Sequence, residues 1–432
     1  MPSTEAGAQP RRGLVATFTS GTACSPADDR HLPLLRRFEQ EPHFAKKTRQ
    51  RANLLAQSCF METDMQTAVI WSGIFSDANY FGRYLRDVTR HGDDSLNSVL
   101  AFCMAPYFSL AMHESLQKAG KINADISAAF EKSTITISAR SRHSLKLFED
   151  TKRGIEGQVS YFRDEVFTAH SAKFLGNTWL PLARFLETDL GLYSYGGRLV
   201  TTTHAATFHL GFEPNELLAE GAGTHIRAVF EEYGSYFAGF GASLDDQGAD
   251  TFVTALSDSA LDESRDVRAS KYYRKVFNGP DTPELNAILT TFRAMLNFAE
   301  IVVSSGVDRQ YLDYTAFKIG YLSLYQVLRS VRILLDDSSY PLTARSAAIA
   351  DHIVNLESAQ DILDPKARPF RNMLMHYNLP PKMDMSKVDL SQPFFGTVPI
   401  YFPLHDISSF IQLVNQCGSI TAAIFDEWAE GS

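Results

Sequence analysis

Arginine, asparagine and histidine lie close together in the segment DPKARPFRNMLMHYNLPP, residues 364–381. On an α-helix, Asn372 and His376 share one face, whereas the directions of Arg371 and His376 diverge by about 140°. The arginine is long enough to swing back, so both side chains could meet on one phosphate. Histidine suits proton transfer near neutral pH, and the planar guanidinium of arginine can donate two hydrogen bonds to the oxygens of one phosphate. This set therefore has the chemistry for cleaving RNA without a metal ion.

Two further arginines are followed by an aspartate and, shortly afterwards, by a histidine. Arg163 and Asp164 precede His170 within a strongly periodic segment. On a regular α-helix, Arg163 and His170 would lie on nearly the same stripe, two turns apart. This is a second candidate motif, although a solvated, ion-paired helix face is the favoured interpretation. The third set, Arg86 to His91, is interpreted as a helix C-terminus whose basic residues oppose the helix dipole.

Helical periodicity dominates the segments that must position the first motif. Apolar residues at spacings of three and four predict four long helices, over residues 282–305, 308–337, 341–363 and 405–430. A short motif helix precedes the last of them and is stopped by Pro380-Pro381. Short connections favour antiparallel neighbours, so an all-α bundle is predicted over residues 282–432.

The N-terminal half is also predicted to be predominantly helical, over residues 63–92, 98–118 and 153–174. The alternating segment 133–140 and the β-branched segment 197–212 predict a small β insertion. A glycine-rich stretch, residues 234–250, is the best candidate for a domain boundary. The predicted organisation is a flexible tail (1–28), a helical N-terminal domain (29–212), a connecting region (213–281) and the C-terminal bundle (282–432).

Composition narrows the classes of protein to which the chain can belong. Hydrophobic residues make up 44% of the chain, and the formal charge is −9, which argues against a protein that coats nucleic acid. Its four cysteines are scattered, so no disulfide framework or structural zinc site is expected. There is no signal-peptide pattern, uninterrupted membrane span or nucleotide-cofactor fingerprint. We expect a cytoplasmic protein with no membrane association, metal or cofactor.

Arg-Asn-x-x-x-His near the start of a short helix in an all-α bundle resembles the HEPN superfamily. The resemblance covers roughly residues 282–432, and Pro369 departs from the usual pattern because it starts or kinks the motif helix. It implies that Arg371 binds phosphate, Asn372 is the accompanying polar residue and His376 is the catalytic histidine. RDEVFTAH, residues 163–170, resembles a longer variant of the motif, so the N-terminal domain is a candidate divergent copy.

The resemblance implies a function and a set of partners. Many HEPN proteins are metal-independent endoribonucleases of antiphage, abortive-infection and toxin–antitoxin systems, and they dimerise so that two motifs face one cleft. We therefore expect an RNA substrate, cleavage to a 2′,3′-cyclic phosphate, a homodimer or an intramolecular pairing of the two motifs, and an antitoxin or defence-system partner. The alternative is a catalytically inactive helical module that is antitoxin-like or binds RNA or nucleotides, since other members are inactive or bind nucleotides.

Overall fold

The computed structural model describes residues 65–91, 94–124, 148, 151–179, 181–211, 213–240, 249–279, 282–304, 313–392 and 394–431. These residues form a predominantly α-helical fold with a small three-stranded sheet, which confirms the predicted fold class. The predicted tail and the alternating segment 133–140 lie outside the described residues.

The first part of the described chain contains four longer helical segments, two strands and three shorter helices. They are α1 (Met65–Arg90), α2 (Asp94–Ile122), α3 (Lys152–Tyr161), α4 (Phe167–Phe174), β1 (Leu190–Tyr195), β2 (Arg198–Thr202), α5 (Thr203–Leu210), α6 (Pro214–Leu217) and α7 (Ala222–Gly239).

The remaining elements begin with a third strand and end with the long C-terminal helix. They are β3 (Leu261–Val267), α8 (Ala269–Tyr272), α9 (Pro283–Ser304), α10 (Tyr314–Asp336), α11 (Ala344–Val354), α12 (Glu357–Leu363), α13 (Arg368–His376), α14 (Val398–Tyr401) and α15 (Ile407–Glu430). The sheet order is β2-β1-β3, and both pairings are antiparallel.

Two predicted helices are divided in the structure. The segment 341–363 breaks into α11 and α12 at Leu356, whose backbone torsions (φ −55°, ψ 136°) are not helical, and the side chain of Gln360 donates to the Val354 carbonyl at the end of α11 at 2.8 Å. The segment 153–174 contains a π-helical turn, Phe162–Val166, between α3 and α4. A π-helical turn holds more residues than an α-helical turn, so each residue rotates the chain by less than the ~100° of an α-helix. Residues beyond the turn therefore lie on a different face from the one that a regular α-helix would give them.

A small β insertion is present as predicted, but of its three strands only β2 lies within a segment predicted as β, and β1 and β3 lie outside both predicted segments. The segment 197–212 is a strand only as far as Thr202, whose side chain accepts a hydrogen bond from Ala205 N and starts α5. N-capping by threonine outweighs the β-branched composition of the residues that follow.

A continuous hydrophobic core joins the two halves of the described chain. Buried side chains of α1 and α2, such as Phe81 and Phe108, belong to the same cluster as Tyr321 of α10 and Phe410 of α15. Helix α2 packs on α13, and α1 packs on α10. The N-terminal helices therefore help to position the motif helix. The domain boundaries stay a prediction.

In the described part of the chain, two helices are long and apolar enough to cross a membrane, Ser95–Ile122 and Pro283–Ser304. Most of each lies inside the structure, with 78% of the apolar window buried. Core helices of soluble proteins share these properties, so this is weak evidence for membrane insertion.

Candidate functional site

The motif lies on α13, whose apolar face anchors it in the core. Phe370, Met373 and Leu374 are almost fully buried, and Pro369 occupies the first turn, where a missing N–H costs nothing. Proline therefore starts this helix without kinking it. The helix ends at His376 because Tyr377 adopts the left-handed conformation, with φ of 49°.

A buried polar cluster holds Tyr377 in that conformation. Its hydroxyl donates to the carboxylate of Asp77 in α1. Lys318 of α10 donates to the same carboxylate at 2.6 Å, and Thr315 donates to its other oxygen at 2.7 Å. Burial, followed by the charge of Asp77, raises the pKa of Tyr377, so the hydroxyl stays protonated. The end of the motif helix is thus tied to α1 and α10.

The turn at Tyr377 brings the residues on either side of it against one face of α2. His376 Nδ1 lies 2.9 Å from Glu114 Oε2, and the histidine side chain is 40% exposed. Asn378 Oδ1 accepts a hydrogen bond from Lys118 Nζ at 3.0 Å. Glu114 and Lys118 are one helical turn apart. The structure therefore assembles a carboxylate, an imidazole, an ammonium and an amide at one surface.

Arg371 lies on the other side of α13 from this surface. It is 6% exposed, and its guanidinium donates to the backbone carbonyl of Phe148 and to Asn372 Oδ1. The guanidinium carbon also lies 5.7 Å from the centre of the Tyr325 ring. The structure thus brings Arg371 and Asn372 together but does not bring Arg371 and His376 to one open surface.

The second candidate motif is also divided between two environments. Arg163 is exposed and pairs with Asp164 at 2.8 Å, whereas His170 is fully buried and lies 3.0 Å from Thr207 Oγ1. The expectation that Arg163 and His170 share a stripe is wrong, because the π-helical turn from Phe162 to Val166 rotates the residues beyond it.

Three buried histidines predict a loss of stability in acid. Burial lowers the pKa of His170 and of His209 from 6.5 to about 4, and burial followed by His170 lowers the pKa of His204. Between pH 6.5 and 4 the unfolded chain binds protons that the folded chain does not, so stability falls as pH falls through this window. We expect a loss on the order of 3 kcal/mol for each of His170 and His209.

Urea unfolding at a series of pH values from neutral to about 4.5 measures this loss. The variant His170→Gln cannot ionise, so its unfolding free energy should fall less steeply with decreasing pH. His352→Gln, at an exposed position of α11, should keep the wild-type slope. Parallel slopes for the wild type and His170→Gln would contradict the prediction.

Glu114, Lys118 and Asn378 were not singled out as functional residues from the sequence. The only local signal is the spacing of Glu114 and Lys118, which is common on solvated helix faces. Their meeting with His376 depends on packing between segments more than 250 residues apart.

Two other features bear on function. A groove of about 1070 Å³ between α9, α10 and α15 is lined by apolar, amide and hydroxyl side chains and by Glu300, and none of the motif residues line it. Among the described residues, no group of three or more histidine, cysteine, aspartate or glutamate side chains has an arrangement that could hold a metal ion.

Comparisons with known proteins returned no matching family model, no similar curated protein and no similar solved structure.

Proposed function

We propose that this protein is a metal-independent endoribonuclease in which His376 transfers protons. The observation that carries the proposal is the pairing of Glu114 with Nδ1 of a half-exposed His376. Within the described residues, Nε2 of this ring has no hydrogen-bond partner. A carboxylate on one ring nitrogen orients the imidazole and leaves the other nitrogen for proton transfer.

Lys118 is the cation best placed to act with His376. Its ammonium donates to the side chain of Asn378, two residues after His376, and Lys118 lies one turn from Glu114 on the same face of α2. Burial, followed by the charge of Lys121, lowers the pKa of Lys118, which makes its ammonium a readier proton donor. In this proposal Lys118 supplies the positive charge that the resemblance assigned to Arg371.

The reaction is an internal transesterification. His376 Nε2 accepts the proton of the ribose 2′-hydroxyl as the oxygen attacks phosphorus, and the bond from phosphorus to the 5′-oxygen breaks. The ammonium of Lys118 stabilises the developing charge and protonates the leaving oxygen. The products are a 2′,3′-cyclic phosphate and a 5′-hydroxyl. Such an activity suits the antiphage or toxin role that the HEPN resemblance implies.

A catalytically silent binding module is the second candidate. It is favoured by the burial of Arg371, which keeps the guanidinium away from any phosphate at the His376 surface. The groove between α9, α10 and α15 supports the same candidate, because a lining of apolar side chains with some polar groups among them is typical of binding sites.

The experiment that tests the nuclease incubates purified protein with end-labelled RNA in excess EDTA. Wild type should cleave and leave 2′,3′-cyclic phosphate ends. His376→Ala should cleave about 10²–10⁴-fold more slowly, the usual contribution of a positioned proton-transfer group. His352→Ala, a change at an exposed histidine of α11, should retain the wild-type rate.

Two results would overturn the nuclease proposal in different ways. Equal cleavage by wild type and His376→Ala would move the chemistry to another site or reveal a contaminant. No cleavage by either protein, with RNA from phage-infected cells also tested, would favour the binding module.

A further inference from the structure

The segment that follows α4 presents large apolar side chains to solvent. Trp179 is 83% exposed, Leu186 68% and Phe185 61%, and Phe174 at the end of α4 is also exposed. We refer to these four residues as the Trp179 patch. Isolated exposed apolar residues are ordinary, but a concentration of them within one short segment marks an interaction surface.

Hydrogen bonds fold this segment back on itself and bring its two ends together. The carboxylate of Glu187 accepts from Gly176 N at 2.6 Å and Thr178 N at 2.7 Å, and Arg184 Nε donates to Thr178 O at 3.1 Å. The two amides lower the pKa of Glu187 to about 2, so the brace is intact at neutral pH. Residues 185–186 are therefore held near residue 179, and the patch is organised before any partner binds.

The size of the patch is small for a protein interface. Aromatic side chains bury roughly 150–250 Å² each, so Trp179, Phe185 and Phe174 at their observed exposures supply roughly 350 Å², and Leu186 adds less than one more aromatic side chain would. A stable protein–protein interface needs about 800 Å² from each partner. A lipid surface has no such threshold, since a few inserted apolar side chains suffice for reversible binding.

The charges around the patch also favour a lipid surface over a second protein molecule. Lys173 and Arg184 are exposed beside it, and the carboxylate of Glu187, which stays charged, accepts hydrogen bonds from two backbone amides, so the three charged side chains leave the segment with a net positive charge. A second copy docked patch to patch would bring these cations together, which is unfavourable. Tryptophan, phenylalanine and leucine flanked by lysine and arginine suit the headgroup region of a bilayer.

We propose that the Trp179 patch is a peripheral docking site for a lipid surface containing anionic headgroups. Trp179, Phe185 and Leu186 enter the interfacial layer, and Lys173 and Arg184 remain at the level of the headgroups. Because the whole chain is acidic, with a formal charge of −9, binding depends on this local patch. The proposal is independent of RNA cleavage.

Tryptophan fluorescence tests the proposal directly. The chain has three tryptophans, and Trp71 and Trp428 are buried, so Trp179 reports on the patch. Full-length protein is titrated with vesicles of phosphatidylcholine, with and without phosphatidylserine. We expect a blue shift and co-sedimentation, both stronger with phosphatidylserine. The variant Phe185→Ser/Leu186→Ser keeps the reporter and should bind about tenfold or more weakly. Leu404→Ser, an exposed leucine elsewhere, should bind as wild type does.

Three outcomes would overturn the proposal. The first is wild-type protein that stays monomeric and does not sediment with either vesicle. The second is vesicle binding that Phe185→Ser/Leu186→Ser leaves unchanged. The third is a concentration-dependent dimer, seen by analytical ultracentrifugation, in which Trp179 is shielded from quencher and no vesicle binds; the patch would then belong to a second copy of this chain.

Discussion

Asp77→Asn is expected to lower the free energy of unfolding by about 3–5 kcal/mol, the usual cost of removing one partner of a buried ion pair. Asp77 and Lys318 are both almost fully buried, and Lys318 Nζ lies 2.6 Å from the carboxylate. Asparagine keeps the shape of the side chain but removes its charge. The ammonium of Lys318 then remains in the core with the hydroxyl of Tyr377 as an uncharged partner.

Urea unfolding at neutral pH, followed by tryptophan fluorescence, measures this loss. The double variant Asp77→Asn/Lys318→Met removes both charges and should be more stable than Asp77→Asn alone, because no uncompensated ion is left. Glu231→Gln is the matched control, since it breaks the exposed pair of Glu231 and Arg227 and should cost less than about 1 kcal/mol. A loss for Asp77→Asn no larger than that of the control would contradict the prediction.

The helices of the C-terminal half could be predicted from the sequence because their apolar stripes are local and long. The segment predicted as 282–305 is observed as Pro283–Ser304, and the stripe through Phe317, Tyr321 and Leu328 is buried. Helix division was not predicted. The π-helical turn Phe162–Val166 has no sequence signature, because its hydrogen bonding is set by packing around it.

The candidate site could be predicted only in part, for a related reason. The sequence singled out His376, and the structure places it at a surface beside Glu114. It could not predict the left-handed Tyr377, because tyrosine rarely adopts positive φ without a distant anchor. That anchor is Asp77, 300 residues away. Residues joined across such distances carry no local pattern that would reveal their meeting.

Arg371→Ala is expected to destabilise the protein by about 2–4 kcal/mol, because it leaves a buried backbone carbonyl unpaired and removes a cation from the face of an aromatic ring. The carbonyl is that of Phe148, and the ring is that of Tyr325. Arg371→Lys keeps the charge but not the planar fork, so an intermediate loss is expected. His376→Ala removes a half-exposed side chain and should cost less than about 1 kcal/mol.

Activity measurements on Arg371→Lys and on a Lys118 variant distinguish a structural role of Arg371 from a catalytic one. If Lys118 supplies the charge at the His376 surface, folded Arg371→Lys should cleave RNA at close to the wild-type rate, whereas Lys118→Met should be strongly impaired. Both variants are assayed at a temperature well below the midpoint of thermal unfolding of the less stable variant, and their folding is checked by circular dichroism. Loss of cleavage in a stable Arg371→Lys protein would instead require Arg371 to leave its contact with Phe148 and reach the substrate. The HEPN arrangement would then form only when the motif helix rotates.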